Sequence, residues 1–241
     1  MEPERYPMRI NKYLALKKYA SRREADVFIK NGWVTVNGKT AHLGDKVNEG
    51  DKVRVSERIM KERRAHLEYF AYNKPAGIVS TNPEEGQQSI LDVAGISKYV
   101  FPLGRLDRES RGLILLTNDG RVTERLLGPE YEHEKEYVVK VDKPLEKHFL
   151  RHLETGIDIE GHHTKPTTVK QISESVFRIT LIEGKRHQIR RMCAAFGFIV
   201  KDLQRVRVMN IKLGGLKEGT YRKIEGEELH QFLRALGLRS E

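Results

Sequence analysis

An aspartate on a glycine-flanked loop is the first candidate for chemistry. Asp107 lies between Arg105 and Arg108, after Gly104 and before the apolar run Leu113–Thr117. That run predicts a buried strand, with the aspartate on a loop at its start, where glycines would let a substrate backbone approach. A carboxylate there could serve as nucleophile or base. An aspartate between arginines is more often part of a surface ion pair, and the residues alone leave both interpretations open.

A second group of candidates lies further along the chain. Lys135 and Tyr137 stand at the start of a predicted strand, where an isolated tyrosine usually packs into a core. A predicted helix over 186–196 carries three arginines near one face, Arg186, Arg190 and Arg191. This spacing fits a row of cations that faces RNA phosphates.

Two side chains near these candidates receive no catalytic role. His187 is carried by the same predicted helix and has no titrating partner nearby in the sequence, so we interpret it as a hydrogen-bonding residue. Cys193 is the single cysteine of the chain, which excludes an internal disulfide framework and argues against a structural zinc site.

The predicted strand 199–208 carries a further set of cations. Alternation would put Lys201, Arg205 and Arg207 on one face, with Leu203 partly opposed to them. These cations could line a path for RNA, or they could belong to an exposed sheet face, and the sequence favours neither.

Composition sets the class of protein that must hold these residues. The chain has 241 residues, 32% of them charged, a formal net charge of +10 and 38% hydrophobic residues. This content supports a core and excludes global disorder, and no apolar run is long enough to cross a bilayer. With no secretory signal in the first residues, we expect a cytoplasmic protein. The positive charge favours a polyanionic partner, nucleic acid before a membrane.

The chain divides into two predicted domains. Residues 1–60 have the densest positive charge, two predicted helices, a hairpin at Asn37-Gly38 and an alternating strand from Val47 to Val55 that bends at Gly50-Asp51. Residues 56–66 are polar and charged, so we predict a linker or exposed connecting helix there and a boundary after residue 60.

The second domain, 61–241, is predicted to be α+β with a largely antiparallel sheet. The remaining pattern indicates strands at 68–72, 112–117, 136–141, 176–182 and 199–208, and helices near 120–127, 144–154, 186–196 and 226–236.

The first domain resembles the RNA-binding module described in ribosomal protein S-four. The matching residues are Arg9–Leu14, Ser21–Ala25, Gly32–Lys39 and Gly50–Val53. The resemblance implies RNA binding, which suits arginines in the first turn of a helix, beside backbone N–H groups that attract phosphate. The predicted RNA contacts of this domain are Arg9, Lys12, Arg22 and Arg23.

The second domain resembles the pseudouridine synthases of the RsuA/RluF branch, whose members usually combine these two domains. The resemblance is carried by the runs Asn73–Gly77, Gly104–Gly120, Lys135–Tyr137 and Gly184–Met192. It implies that Asn73–Gly77 braces the catalytic loop, that Asp107 and Tyr137 are catalytic, and that Arg190 forms an ion pair with Asp107.

The implied reaction isomerises uridine to pseudouridine and needs neither metal nor cofactor. It breaks the N-glycosidic bond, turns the bound uracil and joins carbon 5 to the ribose. Asp107 could attack ribose carbon 1, attack uracil carbon 6 or remove a ribose proton. Tyr137 would stack on the uracil, and a nearby guanidinium would keep the carboxylate ionised. The predicted RNA contacts of this domain are Arg105, Lys135, Arg186, Arg191, Lys201, Arg205 and Arg207.

The resemblance also implies the partner. Segment 132–145 looks most like members that modify large-subunit rRNA and in some cases a tRNA, so we expect a monomer acting on structured RNA whose target uridine is flipped out. The alternatives are a small-subunit rRNA synthase and a catalytically silent protein that binds rRNA during ribosome assembly.

Overall fold

The computed structural model describes residues 6–17, 19–20, 22–60, 67–96, 100–128 and 131–238, without the side chain of Arg23. The chain divides into two compact units: Met1–Glu68 with Asp119–Glu124, and Tyr69–Asn118 with Arg125–Glu241. Residues 57–60 are helical. The rest of the predicted connecting segment, 61–66, lies outside the described residues, so the predicted boundary after residue 60 stays a prediction.

The first unit packs two helices against short strands. Its elements are β1 (Met8–Arg9), α1 (Ile10–Leu16), α2 (Arg22–Lys30), β2 (Val34–Val36), β3 (Lys39–Thr40), β4 (Lys46–Val47) and β5 (Val53–Val55). Leu14 and Ala25 from the helices and Val34 from β2 are completely buried in its core. The predicted hairpin is confirmed, because β2 and β3 pair around Asn37 and Gly38, which have positive φ of 52° and 82° as this tight turn requires.

The prediction of one bent strand over 47–55 is wrong. β4 pairs with β1, whereas β5 pairs with β2 in a separate three-stranded sheet. A turn divides them: Gly50 has φ of 87°, and the Asp51 carboxylate accepts a hydrogen bond from the backbone N–H of Asn48 at 2.7 Å. A carboxylate that bonds its own turn competes with strand pairing, and this explains the break.

The rest of the chain is built around one large sheet. The strands of this part of the chain are β6 (Tyr69–Lys74), β7 (Phe101–Leu103), β8 (Arg111–Thr117), β9 (Lys135–Val141), β10 (Asp158–Ile159), β11 (His162–His163), β12 (Thr168–Ser173), β13 (Val176–Leu181), β14 (Val200–Val208), β15 (Ile211–Lys212) and β16 (Tyr221–Lys223). Its helices are α3 (Ile90–Val93), α4 (Arg121–Leu127), α5 (Lys147–Thr155), α6 (Gln188–Ala194) and α7 (Gly226–Ala235).

Among the described residues, nine strands form the large sheet, in the order β12-β13-β9-β14-β8-β6-β16, with β15 on β14 and β7 on β8. β10 and β11 pair with each other in a separate two-stranded sheet. The pairs are antiparallel except β14 with β8, which run parallel. The predicted α+β class and largely antiparallel sheet are therefore confirmed. The predicted strands and helices of this region are present within a few residues of their expected bounds. The sequence did not indicate α3 or the strands β7, β10, β11, β12, β15 and β16.

Two apolar clusters lie against this sheet. One joins β9, β13 and β14 to α5 and α6, with Phe149, Phe177 and Met192 at its centre. The other joins β6 and β8 to α3, with Tyr72 and Ile90 completely buried. Tyr137 of β9 packs against both clusters, so the two cores meet at this ring. Among the described residues, none of the helices is both long and apolar enough to span a membrane.

Candidate active site

A cavity of about 750 Å³ opens in the second unit. One wall is the face of β9, β13 and β14, a second is the loop before β8, and a third is the segment 183–188 that leads into α6. Asp107 and Tyr137 both line it, so the structure brings two of the three predicted catalytic residues together. Predicted RNA contacts on its wall are Arg105, Lys135, Arg186 and Arg205.

The sheet wall is fixed by the register of β9 and β14. Tyr137 lies opposite Arg205, and Lys135 lies opposite Val208. Because side chains alternate along a strand, Lys135 and Tyr137 share a face, and their partners on β14 lie on that face beside them. Arg205 is 4% exposed, and its Nε donates to the carbonyl oxygen of Leu113 at 2.6 Å. A buried, oriented cation therefore lies beside the tyrosine.

The predicted cationic face of strand 199–208 is wrong in its details. β14 contains irregularities between Val200 and Asp202 and between Arg205 and Arg207. The second turns Arg207 away from the cavity, because Val208 takes the place that strict alternation would give to Arg207. Arg207 instead forms ion pairs with Glu134 at 2.9 Å and Glu136 at 3.3 Å. Lys201 is exposed and lies outside the cavity lining, whereas Leu203 is buried on its wall.

Lys135 adds a second partly buried cation to this wall. Its Nζ donates to the carbonyl oxygen of His133 at 3.0 Å. Burial lowers the pKa of Lys135, and the positive charge of Arg205 lowers it further. Two cations this close disfavour each other unless an anion joins them, so this wall is suited to a negatively charged or strongly hydrogen-bonding ligand.

Hydrogen bonds on both sides of Asp107 hold its loop. The Ser80 hydroxyl donates to the carbonyl oxygen of Leu106 and accepts from its N–H, both at 2.9 Å. The N–H of Gly77 donates to the carbonyl oxygen of Arg108 at 2.8 Å. The Asp107 side chain is 34% exposed between these anchors, so its carboxylate reaches the cavity from a fixed backbone.

Lys74 lies beneath this loop with a completely buried side chain. Its Nζ donates to the carbonyl oxygens of Pro75 and Ser110, both at 2.8 Å, and of Arg108 at 3.3 Å. Burial lowers the pKa of Lys74 to about 8, although the negative charges of Glu109 and Asp107 act in the opposite direction. The bracing role predicted for Asn73–Gly77 is confirmed, because the Lys74 ammonium and the Gly77 N–H both donate to carbonyl oxygens of the Asp107 loop.

The expectation that glycines admit a substrate backbone near Asp107 is wrong for Gly112. Gly112 has φ of 104°, and a Cβ there would lie 2.3 Å from the carbonyl oxygen of Arg205. This glycine therefore permits the close pairing of β8 with β14. Gly104 lines the cavity, and a Cβ there would lie 3.1 Å from a methyl group of the exposed Leu127 side chain, so for this glycine the expectation stays a prediction.

His187 lies beside Asp107 at the cavity. Its Nε2 lies 3.4 Å from Oδ1 of the carboxylate, and the side chain is 46% exposed at the cavity. The sequence offers no titrating partner near His187, and its interpretation as a hydrogen-bonding residue stays a prediction. Asp107 is 80 positions away in the chain, and only the fold brings the two together.

The predicted ion pair between Arg190 and Asp107 is absent from this structure. The Arg190 guanidinium donates to the carbonyl oxygen of Glu109 and to Oγ of Ser110, both at 3.3 Å, and to the carbonyl oxygen of Val200 at 3.4 Å. Among the described residues no arginine pairs with the Asp107 carboxylate. Arg190 thus fastens the end of the Asp107 loop to β14.

The predicted common face of Arg186, Arg190 and Arg191 is also wrong. The helix begins at Gln188 rather than at residue 186, so Arg186 precedes it and lies exposed at the cavity. Arg191 forms an ion pair with Glu160 at 2.7 Å. Arg105 is also exposed on the cavity wall. Of the RNA contacts predicted for this domain, Arg105 and Arg186 are therefore the two that are both exposed and at the cavity.

The predicted RNA contacts of the first unit are on its surface. Arg9, Lys12 and Arg22 are all exposed. The side chain of Arg23 lies outside the described part of the structure. Exposed cations on a compact module fit phosphate binding without requiring a pocket.

Sequence reasoning assigned no individual role to two residues that hold the Asp107 loop, Lys74 and Ser80, and gave His187 beside the carboxylate no catalytic role. Lys74 precedes a Pro-x-Gly turn, and that turn was the signal that could have singled it out. Ser80 and His187 meet partners distant in sequence, Leu106 and Asp107, and carry no local signal.

Comparison with known proteins agrees with this architecture. The family model for RNA pseudouridylate synthase matches residues 68–195, and the model for the S4 domain matches residues 8–53. The chain is 46% identical over 230 residues to the dual-specificity RNA pseudouridine synthase RluF of Escherichia coli (strain K12), covering 95% of this chain and 79% of that protein.

One further relative and one solved structure match this chain over nearly their whole length. The ribosomal large subunit pseudouridine synthase B of Bacillus subtilis (strain 168) is 38% identical over 237 residues, which is 95% of this chain and 96% of that protein. A crystal structure of a pseudouridylate synthase superposes with a TM-score of 0.68 at 28% identity, covering 93% of this chain and 99% of that one. The chain therefore belongs to the RNA pseudouridylate synthases and carries an S4 domain in its N-terminal part.

Proposed function

We propose that this pseudouridine synthase modifies large-subunit rRNA, with a tRNA as a second substrate, and that Asp107 carries the chemistry. The observation that supports the chemical assignment is the Asp107 carboxylate, held on a braced loop, facing a cavity whose opposite wall presents Tyr137 and Arg205. The RNA assignment is supported by relatives named as a ribosomal large subunit synthase and as a dual-specificity enzyme.

The reaction requires a carboxylate near sugar and base and a pocket that retains the detached uracil. Asp107 is the group that attacks or deprotonates the target nucleoside, as a glycosidase carboxylate handles a cationic sugar carbon. The Tyr137 ring, which packs on two apolar clusters, offers a fixed face on which the uracil stacks. Arg190 serves the reaction by holding the loop that carries Asp107.

The cavity also explains how RNA reaches the carboxylate. A base stacked inside an RNA helix cannot enter the cavity, so the target uridine must leave its stack. Unstacking costs a few kcal/mol, and the cost is least in loops and bulges. Six lysines and arginines but three carboxylates line the cavity among the described residues. This excess of cations, together with exposed cations of the S4 domain, holds the phosphate backbone while the base is flipped.

We further propose that the enzyme works as a monomer in the cytoplasm, where rRNA and tRNA are found. The support for a monomer is that the three walls of the cavity all belong to the second unit, which presents Asp107 and Tyr137 on one cavity.

The test is to map pseudouridines in cells that lack this protein and carry either the wild-type gene or the Asp107→Asn variant. We expect sites in large-subunit rRNA, and one in a tRNA, that return with wild type and not with the variant. Loss confined to small-subunit rRNA would refute the large-subunit assignment. Restoration by Asp107→Asn would show that the chemistry does not depend on this carboxylate.

A further inference from the structure

We propose that Arg205 is a catalytic residue that stabilises the negative charge of the uracil while the base is detached from the ribose. The inference rests on the proposed function, in which Asp107 carries the chemistry, and it adds the group that holds the base. The sequence predicts Arg205 as one of several cations along a path for RNA, but its side chain lines the cavity, on the wall that also carries Tyr137.

The first support is that Arg205 is a buried cation without an anionic partner. The residue is 4% exposed, and its Nε donates to the carbonyl oxygen of Leu113 at 2.6 Å. Among the described residues, no carboxylate forms an ion pair with its guanidinium, and its Nη atoms donate no hydrogen bond. Burying a charge without a partner is costly, so buried guanidinium groups are normally paired. We therefore expect the missing partner to arrive with the substrate.

The second support is the place of Arg205 in the sheet. It lies directly opposite Tyr137 where β14 pairs with β9, and opposite residues of an antiparallel pair have Cβ atoms about 5 Å apart. A uracil stacked on the Tyr137 ring presents its carbonyl oxygens at the edge of the stack. The guanidinium carries several N–H donors in one plane, which suits the recognition of such oxygens. Tyr137 is thus placed for the face of the base and Arg205 for its edge.

The third support is the positive charge of the wall around Arg205. Burial lowers the pKa of Lys135, and the positive charge of Arg205 lowers it further. The pKa of Lys74 is lowered chiefly by burial, and Arg205 contributes in the same direction. The charge of Arg205 therefore acts across the wall, from β9 to β6. A positive potential that exists before the substrate binds needs no reorganisation to stabilise a developing anion.

The reaction creates such an anion by each of the routes open to Asp107. If the carboxylate attacks ribose carbon 1, the bond from that carbon to uracil N1 breaks and its electron pair leaves with the base. If Asp107 takes the proton of ribose carbon 2, the C–H electrons form a double bond to carbon 1 and the same bond to N1 breaks. If it attacks uracil carbon 6, the electrons of the carbon 5–carbon 6 double bond move toward the oxygen on carbon 4. Each route places negative charge on carbonyl oxygens of the uracil, and this charge is discharged when an electron pair of the base forms the new bond from carbon 5 to the ribose.

Two other roles fit a cation at this place, a contact to an RNA phosphate and a purely structural tie between β14 and β8. Loss of a phosphate contact weakens RNA binding and leaves the chemical step intact at saturating RNA. Loss of a structural tie slows the reaction of every target base alike. Loss of a group that stabilises an anion is felt less when the target base itself carries negative charge more easily.

The experiment compares Arg205→Met and Arg205→Lys in the full-length enzyme, on rRNA transcripts whose target base is uracil or 5-fluorouracil. Fluorine withdraws electrons from the ring, so the fluorinated base carries negative charge with less help from the protein. Methionine removes the cation and keeps an unbranched chain, whereas lysine restores the cation without the planar group. Arg178→Met is the matched control, because Arg178 is an exposed arginine of the same sheet that pairs with Glu136 outside the cavity lining.

The readouts are the single-turnover rate at which the target nucleoside disappears at saturating RNA, RNA affinity by filter binding, and thermal unfolding to check that each variant is folded. We expect Arg205→Met to convert uridine about 100-fold more slowly than wild type, as the loss of one donor to a developing anion typically does. With 5-fluorouridine the loss should shrink to about tenfold. Arg205→Lys should convert uridine about tenfold faster than Arg205→Met, because it keeps the charge. RNA affinity should stay within about twofold of wild type, and Arg178→Met should react as wild type does with both transcripts.

An equal loss with both transcripts would overturn the proposal, because partial unfolding or a structural role reduces both rates by the same factor. An unchanged rate in Arg205→Met would also overturn it, as would a loss confined to RNA affinity or a lysine variant no faster than the methionine variant. Failure of the proposed function gives a different result. In that case wild type itself would leave the large-subunit transcript unmodified, or Asp107→Asn would remain active on uridine.

Discussion

The buried ammonium of Lys74 makes the stability of this protein depend on pH in the alkaline range. Burial lowers its pKa from 10.5 to about 8. Between these values the unfolded chain still binds a proton that the folded chain has released, so the free energy of unfolding rises with pH. For this one group the rise between about pH 7.5 and about pH 10 amounts to about 2 kcal/mol.

Replacing Lys74 by methionine isolates this contribution. The variant keeps an unbranched side chain of similar length but cannot titrate, and it leaves the carbonyl oxygens of Pro75 and Ser110 without their buried donor. Unsatisfied buried groups of this kind cost about 1–3 kcal/mol each, so we expect Lys74→Met to be less stable than wild type at neutral pH by about 3 kcal/mol.

Urea unfolding of both proteins at the two pH values gives the test. The difference in free energy of unfolding between wild type and Lys74→Met should widen by about 2 kcal/mol at the higher pH. Lys170→Met, which removes an exposed lysine on β12, controls for the general effect of losing a positive charge. An equal pH response in wild type and Lys74→Met would refute the reasoning, and so would the same change in Lys170→Met.

The remaining predictions concern chemistry, RNA binding and packing. Asp107→Asn should abolish tritium release from carbon-5-labelled uridine while filter binding of the rRNA transcript stays near the wild-type value, because phosphate contacts supply most of the affinity; activity within tenfold of wild type would remove Asp107 from the reaction. Replacing exposed Arg9, Lys12 and Arg22 together by alanine should weaken RNA binding and flatten its salt dependence, and an unchanged salt slope would exclude them as phosphate contacts. Gly112→Ala should lower the free energy of unfolding in urea by about 3 kcal/mol, because its Cβ would collide with the backbone of Arg205 and φ is positive. Gly215→Ala, where a Cβ meets nothing within 4 Å, should change it little.

Much of the fold could be predicted because the signals are local. Strand β8, Arg111–Thr117, is an almost unbroken apolar run. The Asn-Gly pair at 37 and 38 is the typical sequence of a tight hairpin turn. β12 could not be predicted, because this strand at the end of the sheet is mostly exposed and its sequence, Thr168–Ser173, has no apolar alternation. β4 and β5 were merged because the pattern of valines does not show where a turn interrupts pairing.

The candidate site could be predicted only where the family resemblance assigns a residue, because the residue types alone left the roles of Asp107 and Tyr137 open. Asp107 and Tyr137 meet at the cavity as the resemblance implied, but the placement of the cations depended on features invisible in a sequence. The start of α6 at Gln188 separated Arg186 from Arg190 and placed His187 in the left-handed region. An irregularity of one residue in β14 places Val208, rather than Arg207, on the cavity wall.

The register of the sheet explains why these features matter for catalysis. Tyr137 pairs with Arg205, Arg205 pairs with Gly112, and Gly112 pairs with Lys74. These four residues form one row across β9, β14, β8 and β6, and the loop of Asp107 is fastened to this row by the ammonium of Lys74. Because a shift of one residue in any of these pairings reverses the side-chain faces, the distance between the carboxylate and the tyrosine is set by the pairing of four strands. Substitutions that shift this row should therefore impair the reaction even where they touch neither Asp107 nor the RNA.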